Sequence, residues 1–218
     1  MLSTTLMQQI QAHLDGAERL VQWMYLDSKG YVTVGIGTRL YSVADAQTLP
    51  FYHDRDFACS PVALGDIARA YNTVAADSMA QRARSPKRRY TSYESTTNLR
   101  IDGGTAARLR NEYIERSYLA LKKIYWEFDS FPDSVKLALF DMIYNVGEAG
   151  LRDGFPTMNR AIRERRWLDA ANESHRQDVD SDRNYWTGRM FGQAALQESK
   201  GDVFNKVAKY SRSHRLWR

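Results

Sequence analysis

The sequence has almost no cysteine and no long apolar run. Its single cysteine, Cys59, excludes a disulfide within the chain, and cysteine and histidine do not cluster at zinc-ligand spacing. Each apolar segment is shorter than the roughly 20 residues that a membrane-spanning helix needs. The first residues carry neither a basic leader nor a continuous apolar stretch, so we expect synthesis in the cytoplasm without a secretory signal. These features exclude a disulfide-stabilised scaffold and an integral membrane protein.

The composition is that of a globular protein with an excess of positive charge. Of 218 residues, 43% are hydrophobic and 26% are charged, which allows one good apolar core in either one large domain or one domain with a long insertion. We expect a single unit with an insertion. Lysine and arginine number 31 against 26 aspartate and glutamate, for a net charge of +5. This excess favours anionic polymers such as nucleic acid, lipid or bacterial cell wall. Because no nucleic-acid motif accompanies it, we expect no nucleic-acid partner.

The first forty residues predict a helix followed by a β-hairpin. Ser3 or Thr4 can cap a helix that ends near Gly16. The residues from Asp27 to Gly30 have the chemistry of a turn, and residues 31–36 alternate in the manner of a strand. A small antiparallel sheet is therefore expected.

Residues 41–98 have a weaker pattern. They predict one helix, with Ser60 as its cap, and then a polar stretch that is basic from Arg82 to Arg89. We interpret 41–98 as an insertion with a mobile loop. The basic stretch is either a solvated loop or a surface for the cell wall or a partner protein.

From residue 99 onward the pattern is almost wholly helical. Thr105 can cap a long helix through about Glu127, and the helix that starts after Pro132 is apolar nearly all round, which predicts a buried central helix. Pro156 suits a helix start, and another short helix continues from Trp167. The predicted fold class is α+β, dominated by helix.

Two carboxylates and a hydroxyl lie beside the predicted hairpin. A glycosidase needs one carboxylic acid to protonate the leaving oxygen and one carboxylate to activate water or attack the sugar. Glu18, Asp27 and Thr33 could supply the acid, the base and a group that orients water. Each also has a structural explanation, because Asp15 and Glu18 form a capping-box pattern, aspartate suits a turn and threonine suits a strand.

The surrounding residues carry a resemblance to a known family. The pattern E-x8-D-x5-T followed by V-G-I-G resembles the catalytic ribbon of the lysozyme of T-even phages and related endolysins. Residues that match in register are Tyr25, Asp27, Gly30, Tyr31, Thr33, Gly35, Ile36 and Gly37. The segments LRIDGGTAARLRNEYIERSYLALKKI, LALFDMIYNVGEAG and FPTMNRAIRERRWLDAAN also look like that family. Together they cover roughly two thirds of the chain.

The resemblance implies a fold and a reaction. It implies a hairpin-containing lobe and a larger helical lobe with a cleft between them, as a single catalytic domain without metal or organic cofactor. Glu18 would be the general acid, Asp27 would guide the attacking water and Thr33 would assist it. The reaction would be inverting hydrolysis of the β-1,4 bond between N-acetylmuramic acid and N-acetylglucosamine.

Further site residues are predicted around these three. Tyr25 and Tyr31 could stack on sugar rings or support the core, and Gly37 lies where the ribbon would meet substrate, although Thr38 replaces the histidine common in the family. Asn145 either hydrogen-bonds substrate or ends a helix. The resemblance also implies an arginine paired with Glu18, for which Arg183 is preferred to the alternative, Arg189.

The biological setting and one competing function stay open. A muramidase of this kind would act on peptidoglycan in the periplasm or wall of a target bacterium. It would reach the wall as a phage endolysin or as an antibacterial effector, with an immunity protein or a secretion machine as a possible partner. The competing hypothesis is an inactive lysozyme-like module that only binds the cell wall.

Overall fold

The structure is a computed structural model that describes residues 2–17, 21–54, 61–84, 89–177 and 179–213, without the side chains of residue 17 and residues 200–213. Glu18, Cys59 and Ser60 therefore lie outside the described residues. The chain divides into two compact units. We call Gln11–Glu115 the hairpin unit, and Met1–Ile10 together with Arg116–Arg218 the helical unit.

Helices dominate the described residues, and strands occur only in the hairpin unit. The helices are α1 Thr4–Ala17, α2 Val43–Gln47, α3 Leu64–Ala75, α4 Ser78–Ala83, α5 Gly103–Ile124, α6 Asp133–Gly154, α7 Pro156–Arg163, α8 Trp167–Glu173 and α9 Ser181–Ser213. The strands are β1 Val21–Leu26, β2 Val32–Gly35, β3 Thr38–Arg39, β4 Phe51–His53 and β5 Leu99–Ile101. The predicted class, α+β and mostly helical, is confirmed. Among the helices described, none combines the length and the apolar character that crossing a membrane demands.

The predicted hairpin is present. Strands β1, β2 and β3 form an antiparallel sheet in that order, with Tyr25 opposite Thr33 and Thr33 opposite Arg39. Gly35 and Gly37 have positive φ angles of 67° and 94°, which side chains disfavour. These two glycines therefore allow β2 to reverse directly into the short strand β3.

The segment 41–98 is more ordered than the sequence predicted. Instead of one helix, its described part contains α2, α3, α4 and strand β4, which pairs with β5 through Phe51 and Ile101. Its apolar side chains share one core with the hairpin, made by Val21, Met24, Tyr25, Leu26, Val32, Val34, Leu40, Ala46, Leu49, Phe51, Ile67, Ala70, Val74, Tyr93, Leu99, Ile101, Ala106 and Leu109. The expectation of a single helix is therefore wrong for these residues, which supply a large share of the core. That 41–98 is an insertion relative to the phage enzyme stays a prediction.

Hydrogen bonds also tie this segment to the hairpin. Trp23 Nε1 donates to the carbonyl oxygen of Tyr90 at 3.1 Å, and the Tyr71 hydroxyl donates to the carbonyl oxygen of Leu40 at 3.2 Å. The described start of the basic stretch is not a solvated loop, since Arg82 lies in α4 and bonds the Lys29 carbonyl oxygen at 3.0 Å.

The start of α5 differs from the prediction by a few residues. The helix begins at Gly103, and the carboxylate of Asp102 accepts the backbone N–H of Thr105 at 2.5 Å. Thr105 was predicted as the cap, but Asp102 performs that role, since a carboxylate accepts exposed N–H groups at a helix start and suits the positive end of the helix dipole.

The helical unit is built around α6, whose residues from Ser134 to Ile143 are mostly buried, as predicted, whereas residues 144–150 are not buried. Aromatic rings pack edge to face beside it, with Phe131 at 5.5 Å from Trp167 and Phe128 at 6.1 Å from Phe140 between ring centroids. At Gly147 the φ angle is 77°, and the helix kinks there. Pro156 begins α7, where its missing N–H costs no helical hydrogen bond.

We predict that replacing Phe51 by alanine destabilises the hairpin unit by about 3–5 kcal/mol, because the ring is fully buried and its removal leaves a cavity. Met79, which is 75% exposed in the same segment, is the matched control, and Met79→Ala should change stability by about 0.5 kcal/mol or less. Urea unfolding followed by circular dichroism measures both. Equal midpoints would show that 41–98 does not contribute to the core.

Candidate active site

Asp27 organises the turn between β1 and β2. Its Oδ1 atom accepts the backbone N–H groups of Lys29 and Tyr31, each at 2.9 Å. The backbone N–H of Gly30 donates to the carbonyl oxygen of Asp27 at 3.0 Å. Aspartate forms such turns because its short side chain reaches the backbone two residues ahead. The turn predicted from the sequence therefore forms around this carboxylate.

The second carboxylate oxygen of Asp27 pairs with an arginine on β3. Arg39 Nε donates to Asp27 Oδ2 at 2.9 Å, and the Asp27 side chain is 18% exposed. Burial lowers the pKa of Arg39, but the hydrogen bond and charge of Asp27, together with Tyr41, outweigh burial and raise it. Arg39 therefore remains a cation beside this carboxylate.

Thr33 is joined to Asp27 through one residue. The Thr33 side chain is buried, and its hydroxyl donates to the carbonyl oxygen of Tyr31 at 2.9 Å. The N–H of the same residue, Tyr31, donates to Asp27 Oδ1. The structure therefore joins Asp27 and Thr33 in one hydrogen-bonded network through the backbone of Tyr31, and the role of Thr33 in orienting water stays a prediction.

Two chemical interpretations fit this network. A carboxylate that keeps a fixed orientation and a partly exposed edge can accept a proton from a water molecule or orient it. The same hydrogen bonds also suit a purely structural turn. Glu18, the predicted acid, lies outside the described residues, so the separation of the two carboxyl groups stays a prediction.

The two predicted tyrosines differ in exposure. Tyr25 is buried, and its ring meets Tyr90 edge to face at 6.1 Å, which favours the supporting role over sugar stacking. Tyr31 is 37% exposed, and its ring lies 5.0 Å from the guanidinium carbon of Arg39. Gly37, the remaining ribbon position, lies in the reversal from β2 to β3.

In the helical unit, Arg183 contacts a buried aspartate on α6. Arg183 Nε donates to Asp141 Oδ1 at 2.8 Å, and Arg176 Nη1 donates to Asp141 Oδ2 at 2.8 Å. The Thr187 hydroxyl lies 3.0 Å from Asp141 Oδ2 and accepts from Arg176 Nη2 at 2.7 Å. Burial lowers the pKa of Arg176, and the charge of Asp141 opposes that effect.

One nitrogen of the Arg183 guanidinium forms no hydrogen bond to the described residues. Its Nη2 atom is buried and has no hydrogen-bond partner among the described residues, while its guanidinium lies 5.5 Å from the Tyr144 ring centre. Pairing of Arg183 with Glu18 stays a prediction. The alternative arginine, Arg189, has its guanidinium over the Tyr185 ring at 5.9 Å.

Asn145 lies on α6, two residues before the kink at Gly147, and it is exposed, like Glu148 and unlike the buried Asp141. This position is compatible with both of its predicted roles, because the residue is open to solvent and the regular helix is interrupted at Gly147.

Sequence reasoning missed the residues that pair with the carboxylates. Arg39 lies twelve positions from Asp27, and only the strand reversal at Gly35 and Gly37 brings the two together. Asp141 gave a stronger indication, since a charged residue inside an otherwise apolar helix requires a buried partner. Its partners, Arg176 before α9 and Arg183 within α9, could not be identified from the segment around Asp141.

The comparisons with known proteins leave the family open. A scan against models of protein families finds no match, and a search of curated proteins finds none with significant similarity. The functional argument therefore depends on the geometry above and on the resemblance of the ribbon and helical segments.

We predict that Asp141→Asn destabilises the protein by about 3 kcal/mol or more, because it removes the buried carboxylate that pairs directly with Arg176 and Arg183. Asp133→Asn is the matched control on the same helix, since the Asp133 side chain is 56% exposed in its pair with Lys136. Thermal and urea unfolding measure both variants. A similar small loss in both would contradict the assignment of Asp141 as the centre of a buried ion cluster.

Proposed function

We propose that this protein is a peptidoglycan hydrolase of the muramidase type. The observation that supports it best is the network that joins Asp27 to Thr33 through Tyr31, with Arg39 on the second carboxylate oxygen. The resemblance of the ribbon to phage lysozymes supplies the substrate, the β-1,4 bond between N-acetylmuramic acid and N-acetylglucosamine.

The proposed reaction assigns one step to each group. Glu18 gives its proton to the glycosidic oxygen as the bond from that oxygen to the anomeric carbon breaks. Asp27 accepts a proton from a water molecule whose oxygen bonds to the same carbon from the opposite face. Thr33 holds the backbone of Tyr31, which orients Asp27. In this mechanism Asp27 must keep its orientation through the whole reaction.

The proposed activity is directed at the wall of a target bacterium. Both a phage endolysin and a delivered antibacterial effector would act on this polymer, the latter with an immunity protein in the producing cell. The net charge of +5 suits an anionic wall in either case.

A second candidate function is a wall-binding module without activity. The hydrogen bonds of Asp27 and Thr33 are compatible with such a module, because a stable turn without catalytic function would form the same bonds. Such a module would sediment with purified peptidoglycan without releasing reducing sugar ends.

We predict that the protein releases soluble fragments from purified peptidoglycan, and that Glu18→Gln and Asp27→Asn each lower the rate about 10²–10⁴-fold, the range typical of a lost acid or base. The amide introduced by Asp27→Asn would retain a carbonyl oxygen for the turn N–H groups, so folding should persist. Release of reducing ends measures the rate, and mass spectrometry of the fragments identifies the bond cleaved.

Glu94→Gln and Asp54→Asn are matched controls, since both side chains are exposed in the same unit, and both variants should keep full activity. Wild-type rates in Glu18→Gln or Asp27→Asn would refute the proposed mechanism. Sedimentation with the wall but no fragments from the wild-type protein would favour the binding module.

A further inference from the structure

Helix α4, in the segment 41–98, contacts the turn that Asp27 organises. The Ser78 hydroxyl donates to the carbonyl oxygen of Gly30 at 2.6 Å, and Arg82 Nε donates to the carbonyl oxygen of Lys29 at 3.0 Å. Two successive carbonyl groups of the turn are thus bound by two side chains one helical turn apart. A solvent-exposed hairpin turn would leave these carbonyls to water.

The approach of α4 is closer than a side chain on the turn would allow. A β-carbon at Gly30 would lie 2.8 Å from Arg82 Cγ and 2.8 Å from the carbonyl oxygen of Ser78. Gly30 also has a φ angle of 75°, which itself favours glycine. The backbone of the turn is therefore packed directly against α4.

The ring of Tyr31 extends this contact. The guanidinium carbon of Arg82 lies 5.6 Å from the ring centre, and that of Arg39 lies 5.0 Å from it. Tyr31 is the residue whose N–H binds Asp27 and whose carbonyl oxygen binds Thr33. Arg82 thus contacts both the backbone of the turn and the side chain next to the predicted catalytic carboxylate.

Helix α4 is itself held in place. Asp77 precedes it and accepts Arg84 Nη1 at 2.6 Å and Arg84 Nη2 at 2.9 Å. The hydroxyl of the buried Tyr93 donates to Asp77 Oδ2 at 3.1 Å. Gln81, between Ser78 and Arg82, is fully buried. These contacts make α4 a firm support for the turn.

We propose that Ser78 and Arg82 are positioning residues for Asp27. By fixing the Lys29 and Gly30 carbonyl groups, they hold the turn so that the carboxylate keeps one orientation. The catalytic consequence rests on the proposed function, whereas the structural consequence does not. Neither residue needs to touch substrate in this role.

The structural test is amide hydrogen exchange by NMR in Arg82→Ala and Ser78→Ala. The N–H groups of Lys29 and Tyr31 should exchange about tenfold faster, because local opening of the turn becomes easier. Arg69→Ala, on the exposed surface of α3, is the matched control and should leave these rates unchanged. Unchanged exchange in both α4 variants would overturn the proposal.

The functional test uses soluble, uncrosslinked glycan strands. Arg82→Ala should lower kcat about tenfold and leave KM within about twofold, because orientation of Asp27 matters in the transition state and not for binding. Ser78→Ala, which removes one hydrogen bond, should act in the same direction. A raised KM with unchanged kcat would assign Arg82 to substrate binding and overturn the positioning role.

The two proposals fail in different ways. If the wild-type protein does not cleave glycan strands, the proposed function fails, and hydrogen exchange alone decides whether α4 holds the turn. If cleavage depends on Asp27 but the α4 variants keep wild-type exchange and kcat, the muramidase assignment stands and the positioning role fails.

Discussion

The need to pair polar groups that are withdrawn from water organises both units. In the hairpin unit, Asp27 accepts hydrogen bonds from two backbone N–H groups of the turn and from the Arg39 side chain. The turn between β1 and β2 and the ion pair with β3 therefore depend on one carboxylate. In the helical unit, Asp141 accepts Arg176 and Arg183 at a position without solvent. An unpaired charge in a buried position of this kind would cost several kcal/mol, more than most single apolar contacts contribute.

A structural role for Asp27 is compatible with a catalytic one. Carboxylates that act on water must be oriented in advance, and hydrogen bonds from the backbone provide that orientation without further loss of entropy during the reaction. The backbone N–H groups of Lys29 and Tyr31 supply such bonds here, and the Arg39 side chain adds one more. The feature that separates an enzyme from a stable turn is therefore the acid on the other side of the bond, which is the role predicted for Glu18.

Local patterns predicted the local structure, and long-range contacts escaped them. The helix start at Ser3, the hairpin turn and the burial of α6 follow from capping, turn chemistry and apolar periodicity over a few residues. The start of α5 was misplaced because two nearby residues, Asp102 and Thr105, could both cap it. The packing of 41–98 escaped local patterns because its partners are distant in the sequence: β4 pairs with β5, and α4 bonds the turn of the hairpin.

The two hydrogen bonds from α4 to the turn suggest how the segment 41–98 can pack on the hairpin without any change in the turn residues. A turn of this type already requires glycine at position 30 for its φ angle, so the turn presents bare backbone there whether or not another element covers it. A helix that brings a hydroxyl and a guanidinium to that backbone gains hydrogen bonds without displacing any side chain. The residues of the turn can then stay as they are whatever the length of the neighbouring segment. On this argument, the segment 41–98 changes how firmly Asp27 is held, and leaves the hydrogen bonds of Asp27 itself untouched.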